Sequence, residues 1–241
     1  MDLGIAGRAA LVVAGSRGLG RATAEALAGE GVRVMLSSRN EAALHDAASS
    51  MRSTGAEVSI QVADITDPQA PSRLVAATLE AFGAIDIVIA NAGGPPAARA
   101  LDLDDARLEA ALNANLLSAI RLTREAVPSM RGNGWGRLCY LTSYSVVQPL
   151  PTLALSNTAR TGLWAWVKTA AQDIAAEGSG ITMNLLCPGP HATDRMKELG
   201  GTGPMGDPAD FGSIAAFVCS QQARFVNGAA LVVDGAATLA L

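Results

Sequence analysis

Residues 9–20, A-A-L-V-V-A-G-S-R-G-L-G, decide how the rest of the chain is read: a short apolar run stops at a glycine cluster and passes directly into a helical stretch, 19–29. An apolar run this short, bounded by glycines, suits a strand buried on both faces. Gly15, Gly18 and Gly20 then let the backbone come close to a ligand. At the start of a helix, unpaired amides and the positive end of the dipole favour an anion, above all a pyrophosphate. A glycine-rich turn alone is weak evidence, so its weight rests on what surrounds it.

Downstream of this first run, strand-like segments recur at 32–37, 58–62, 85–90, 137–142, 181–187 and 230–233. Helical patterns separate them at 41–52, 72–82, 104–130, 153–177 and 211–220. Nearly all-apolar strands alternating with helices are what a parallel sheet covered on both faces requires. The expected fold is therefore α/β: a Rossmann-type, three-layer, doubly wound parallel sheet of about seven strands. Asp207-Pro208 supplies an N-cap with proline at the first helical position. With no internal repeat and no linker, residues 1–241 are expected to form a single domain, with a short substrate lid around 190–206.

Composition narrows the class further. The chain is 49% hydrophobic and 17% charged, too apolar for a disordered segment. No apolar run approaches the roughly 18–20 residues of a membrane span, and the start, M-D-L-G-I, lacks a basic, apolar leader. The expectation is a soluble, cytoplasmic protein that does not engage a membrane. Lys and Arg are scattered and the net charge is −4, which argues against a nucleic-acid surface. Cys139, Cys187 and Cys219 are far apart, without a C-x-x-C pair, and read as reduced, buried thiols. With only His45 and His191 and no Cys/His cluster, no metal site is expected.

Several further motifs occur in a fixed order: Asn91-Ala92-Gly93 after the fourth strand, Asn115 within N-A-N-L-L-S, Ser143 within L-T-S, Pro188-Gly189 with Thr193 four residues on, and a closing V-V-D-G. Together with the glycine turn they resemble the short-chain dehydrogenase/reductase family nearly end to end. The resemblance implies that Gly15, Ser16, Arg17, Gly18, Leu19 and Gly20 hold a dinucleotide pyrophosphate, and that Asp64 and Ile65 lie at the adenine. It implies that Asn91, Ala92 and Gly93 border the cofactor, and that Pro188, Gly189 and Thr193 pack on the nicotinamide. It also implies that Ser143 polarises a substrate carbonyl, that Asn115 holds an ordered water, and that the chain assembles as a homodimer or homotetramer. Trp164 and Trp166 lie on the long helix that the family uses for that contact.

This sequence departs from the family in two places. The family's first glycine aligns with Ala14, and Gly15 comes one position later, which suggests an altered turn. More consequentially, the Y-x-x-x-K motif is missing. The register of L-A-L-S-N-T-A-R-T-G-L puts Leu153 at the tyrosine position and Asn157 at the lysine position. The only tyrosines are Tyr140 and Tyr144 and the only lysines Lys168 and Lys197, so no other register restores the pair. Leu153 donates nothing. Asn157 can hydrogen-bond a cofactor ribose but brings no charge, and losing general acid catalysis costs about 10²–10⁴-fold.

Three side chains are candidate replacements. Leu153, Asn157 and Arg160 share a helix face, so Arg160 can bring positive charge one turn beyond the vacated lysine position, or merely form a salt bridge. Tyr144 follows Ser143 directly and is either an acid or a pocket wall. His191 follows P-G-P, and an imidazole there suits acid–base work or substrate contact unless the ring is structural. The cofactor is read from Ser37-Ser38-Arg39-Asn40: no carboxylate is present for a ribose diol, while Arg39 and Arg17 suit a 2′-phosphate. The expected cofactor is NADP(H). The expected activity is reduction of a small carbonyl compound, 3-oxoacyl-like or another ketone, at a modified site. Two alternatives stay open: a catalytically weak or inactive NADP(H) binder, and a lyase or isomerase using the same pocket with His191 as base.

Overall fold

All seven strands pair parallel in the computed structural model, which describes residues 1–239. They are β1 (Ala9–Val13), β2 (Arg33–Ser38), β3 (Val58–Val62), β4 (Ile87–Ala90), β5 (Gly136–Leu141), β6 (Ile181–Pro188) and β7 (Ala230–Val233), in the order β3-β2-β1-β4-β5-β6-β7. The helices are α1 (Gly18–Gly29), α2 (Glu41–Ser53), α3 (Ala70–Phe82), α4 (Asp105–Leu112), α5 (Ser118–Asn133), α6 (Ala154–Ala176), α7 (Asp194–Glu198) and α8 (Pro208–Val218). The sequence reading of a doubly wound, seven-stranded parallel sheet holds.

Alternation along each strand splits the core into two layers, because successive side chains point to opposite faces. Leu11, Val13, Val88, Leu138 and Tyr140 pack against α3, α5 and α6 through Leu74, Leu122 and Leu163. Ala10, Val12, Ile87, Ile89 and Cys139 face α1, α2 and α8 through Leu27, Leu44 and Phe211. Each fully buried Leu or Ile stabilises the fold by about 1.5–3 kcal/mol relative to exposure, and the central strands β1, β4 and β5 are buried along their whole length. All three cysteines are free and buried. Trp164 and Trp166 are half-buried against the first layer. No helix among the described residues is long and apolar enough to cross a membrane.

The helix expected over 104–130 is not continuous. Its middle, Asn113–Leu117, is a π turn between α4 and α5. This insertion carries Asn115 at its centre, and such turns mark functional positions in many helices. The last helix begins at Pro208, earlier than the apolar pattern suggests, because the Asp207 side chain caps it by accepting from the Ala209 amide at 2.8 Å. Strand order reverses between β1 and β4. Loops leaving these two strands in opposite directions open a crevice at their carboxyl ends, the usual ligand position in such sheets.

Candidate active site

On the β1 side of the crevice the chain leaves helical amides without partners. Arg17 is the N-cap of α1 in an extended conformation, makes no side-chain cap, and is followed by no acidic residue in the first turn. Amides at such an end are anion donors. Ala14, not Gly15, takes the left-handed conformation, with φ +51°. The turn therefore keeps a left-handed residue at position 14 without glycine, and the displaced glycine does not relocate it. Gly20 is required by contact: a Cβ there would collide with the Ala14 carbonyl oxygen and lie 2.7 Å from Asn91 Nδ2. Asn91 Nδ2 itself donates to that carbonyl at 3.4 Å, which joins the β1 and β4 exits. Across the crevice, Thr193 caps α7 and stands 3.7 Å from where a Cβ on Gly18 would be. Gly189 packs so closely on Asp234 that a Cβ there would collide with it, and its amide donates to the Val233 carbonyl at 2.9 Å.

Arg17 and Arg39 are both exposed. The nearest acid to Arg39 is Asp64, at 3.8 Å. The Thr66 amide, at 2.9 Å, holds the Asp64 carboxyl below the usual carboxylate range, with the Thr66 hydroxyl and Arg39 adding to the effect. So loose and solvated an ion pair is worth about 0–1 kcal/mol, and Arg39 remains free to meet a phosphate. The residues present fit a nicotinamide dinucleotide: uncapped amides, a backbone cradle that admits no Cβ at Gly20, and two exposed guanidinium groups.

The β5 side differs. Ser143 leaves β5 extended, and its Oγ accepts from the Ser145 amide at 3.1 Å, which leaves the hydroxyl proton free to donate. Tyr144 is half-buried beside it. Tyr140 is fully buried with its hydroxyl 2.7 Å from Thr123 Oγ1, and burial pushes the phenol well above its ordinary range, so it is no proton donor for the crevice. Leu153 is the N-cap residue of α6, with no capping hydrogen bond from its side chain. Asn157 Nδ2 donates to the Leu150 carbonyl at 2.9 Å, while its buried Oδ1 has no partner.

Arg160 reaches into this gap. Its Nη1 donates to the Thr142 carbonyl, and its Nη2 reaches Asn115 Oδ1 at 3.1 Å and the Ala92 carbonyl at 3.4 Å. One guanidinium thus ties the ends of β4 and β5 to the π turn. It is 8% exposed and pairs with no carboxylate among the described residues. Burial, reinforced by the neighbouring Arg195 charge, pushes it down to about 10, which leaves it cationic at neutral pH. Its Nε is buried without a partner. Beside it lies a cavity of about 20 Å³ lined by Asn91, Ala92, Asn115 and Thr142, room for a single water.

His191, expected to face a substrate, is packed into the interior instead. It is 5% exposed, its Nδ1 lies 3.0 Å from the Gly189 carbonyl oxygen, and its ring meets Phe211 edge-on at 5.2 Å. Its backbone bridges Gly206 and so closes the base of the segment 190–206. Sequence reasoning missed Arg195 on α7. Its Nη2 donates to the Pro95 carbonyl at 2.8 Å and its guanidinium lies against Gly94, pinning that segment over the β4 exit. A contact between residues 100 apart leaves no local trace in sequence. Among the described residues no cluster of His, Cys, Asp and Glu can hold a metal ion.

A sheet that reverses order at β1, with an anion-binding turn there and polar groups gathered at the ends of β4 to β6, defines the class as a dinucleotide-binding Rossmann-type protein. The family described as Enoyl-(Acyl carrier protein) reductase matches residues 13–238. The chain is 29% identical to human Dehydrogenase/reductase SDR family member 4 over 96% of this chain and 87% of the relative. It is 27% identical to the 3-oxoacyl-[acyl-carrier-protein] reductase MabA of Mycobacterium tuberculosis, over 95% of this chain and 92% of MabA. Its structure superposes on L-sorbose reductase from Gluconobacter frateurii, complexed with NADPH and L-sorbose, with a TM-score of 0.92, 28% identity and full coverage of both chains. The chain belongs to the short-chain dehydrogenase/reductase family, whose members among these relatives are oxidoreductases.

Proposed function

We propose that this chain is an NADP(H)-dependent oxidoreductase that reduces a small carbonyl compound, 3-oxoacyl-like or another ketone, with Arg160 standing in for the charge of the missing lysine. The observation that carries this reading is the guanidinium itself. A buried cation without a carboxylate is costly to keep, and it sits where the crevice floor, Asn115 and the β4 and β5 ends meet. Groups of this kind concentrate at reactive sites.

When bound, NADPH supplies a hydride. Gly15, Ser16, Gly18, Leu19 and Gly20 would hold its pyrophosphate on the amides of α1, with Arg17 and Arg39 on the 2′-phosphate. Asp64 and Ile65 would border the adenine, Asn91, Ala92 and Gly93 the ribose, and Pro188, Gly189 and Thr193 the nicotinamide. Asn157 Oδ1, lacking a partner, would accept from a ribose hydroxyl.

Ser143 donates its hydroxyl proton to the substrate carbonyl oxygen. Arg160 stabilises the negative charge that develops there, an effect strengthened by the low polarity around it. Tyr144 or water ordered by Asn115 and Arg160 returns the proton. Arg195 and α7 form the lid that excludes bulk water. His191 serves the lid base and not the chemistry. The same reading places the protein in the cytoplasm as a homodimer or homotetramer, acting on small molecules and not on nucleic acid or membranes.

The test is a titration of the purified protein with NADPH and NADH, read by energy transfer from tryptophan to the reduced nicotinamide. NADPH oxidation with a panel of ketones follows. Tight NADPH binding with no turnover of any carbonyl compound would leave the binder without activity as the better reading. Leu153 at the proton-donor position is the observation that favours that second reading.

A further inference from the structure

At the opposite end of the sheet, where β5 and β6 begin, a cavity of about 580 Å³ opens between the second half of α6, the turn into β6 and the loop 221–228. Small-molecule sites commonly measure roughly 300–1,000 Å³. Its charged lining consists of Arg137, Lys168 and Arg224, without a single Asp or Glu. None of the three forms an ion pair among the described residues.

Arg137 is 2% exposed. Its Nε donates to the Ser220 carbonyl and its Nη1 to the carbonyls of Gly136 and Gly180, at 2.8–3.1 Å. Its guanidinium lies 4.2 Å from the centre of the Trp135 ring. Arg8 lies over the same ring, but it has a carboxylate of its own, Asp86 at 3.0 Å. Burial pushes Arg137 down to about 10, so it stays cationic at neutral pH. Thr182 stands directly beside Arg137 on the neighbouring strand. It is 5% exposed, and its Oγ1 has no hydrogen-bond partner. A buried hydroxyl left unpaired is a standing cost that a ligand oxygen removes. Lys168 Nζ lies against Gly228 at the rim.

We propose that this cavity is a second binding site, separate from the cofactor crevice, for a small multiply charged anion such as a polycarboxylate or a phosphate compound. Arg137 and Thr182 hold one oxygen cluster at depth, and Lys168 and Arg224 hold the outer charge. Three cations facing one space without acids favour more than one negative charge, because a single exposed ion pair in salt is worth little. Lysine and arginine serve carboxylate and phosphate alike, so the two sources share the same chemistry. The site has no residue in common with the cavity beneath the crevice, and it stands whether or not the chain reduces carbonyl compounds.

Calorimetric titration of the full chain with citrate, pyrophosphate and acetate, at fixed ionic strength, tests it. Because the amides of α1 with Arg17 and Arg39 also attract anions, Arg39→Ala and the NADPH-saturated protein serve as controls. The expected result is saturable binding of citrate or pyrophosphate, one per chain, with acetate at least tenfold weaker. Lys168→Gln and Arg224→Gln, at two exposed residues, each weaken it at least tenfold. Thr182→Val weakens it severalfold, and Arg39→Ala and NADPH leave it unchanged. Preference between citrate and pyrophosphate tells the carboxylate source from the phosphate source. Absence of saturable binding, or binding that survives both Lys168→Gln and Arg224→Gln, overturns the proposal.

Discussion

On the β1 side of the crevice, the groups that can hold a dinucleotide are main-chain amides, a glycine that admits no Cβ, and two solvated arginines. On the β5 side the groups are side chains, and there the proposed register puts Leu153 and Asn157 at the family's tyrosine and lysine positions. The first half needs only a backbone path, which tolerates Ala14 in place of glycine. The second needs particular functional groups, and the proposed mechanism takes its charge from Arg160, at a different helical position. Binding is thus written in the backbone and chemistry in side chains.

The sharpest way to break this contrast is Gly20→Val. The added carbons collide with the Ala14 carbonyl and crowd Asn91 Nδ2. Overpacking at a rigid site costs about 1–3 kcal/mol or more. NADPH affinity, followed by tryptophan energy transfer, is expected to fall more than about 100-fold while circular dichroism stays that of a folded protein. Affinity within a few-fold of the parent would mean that the turn does not carry the pyrophosphate.

Arg160→Met probes the other side. If the guanidinium stabilises developing charge, kcat should fall by about 10²–10³-fold, the usual cost of removing one such group. Exchanging a buried unpaired cation for an apolar side chain is often neutral or favourable for stability. The melting temperature is therefore expected to move little, by contrast with kcat. A variant that turns over normally but melts much earlier would make Arg160 a brace between β4, β5 and the π turn, and nothing more.

A smaller effect is expected at the adenosine end. Arg39→Ala should weaken NADPH by about 10-fold or more, since a hydrogen bond to a charged group contributes about 1.5–3 kcal/mol. NADH binding should barely change, because Arg39 otherwise makes only the loose contact with Asp64. Equal losses for both cofactors would remove the basis for preferring NADP(H).

The fold was legible because its signals are local: short apolar runs, glycine turns, and the Asp207-Pro208 start of α8 repeat what the backbone does. The π turn at Asn113–Leu117 was not legible, since those residues include neither Pro nor Gly. Tertiary bonds surround it: Asn113 Nδ2 donates to the Thr66 carbonyl at 2.8 Å, Arg121 bonds Asn113 Oδ1 at 2.7 Å, and Arg160 bonds Asn115. Helical spacing put Arg160 on one face with Leu153 and Asn157, and the family resemblance turned that face toward the site. The burial of His191 was illegible for the opposite reason. Its place in sequence is beside the site, but Phe211 and Gly206 draw the ring into the core. His191→Ala is accordingly expected to destabilise the protein by about 1–2 kcal/mol and to leave kcat near that of the parent. Loss of turnover in a well-folded variant would restore the histidine as an acid or base.

The smallest change bears most directly on the contrast. Ala14 pays for its left-handed backbone, at φ +51°, with strain of about 1–2 kcal/mol that glycine would not carry. Glycine also gives the unfolded chain more freedom, which takes back about 0.4–1 kcal/mol. Ala14→Gly should therefore raise stability by about 1 kcal/mol or less, seen as a shift of a few degrees in melting temperature. NADPH affinity should stay the same, because the turn already has the shape that glycine would permit. A large gain in affinity would show that the Cβ of Ala14 keeps the cofactor at a distance. The contrast between an unaltered proposed binding half and an altered proposed catalytic half would then not survive.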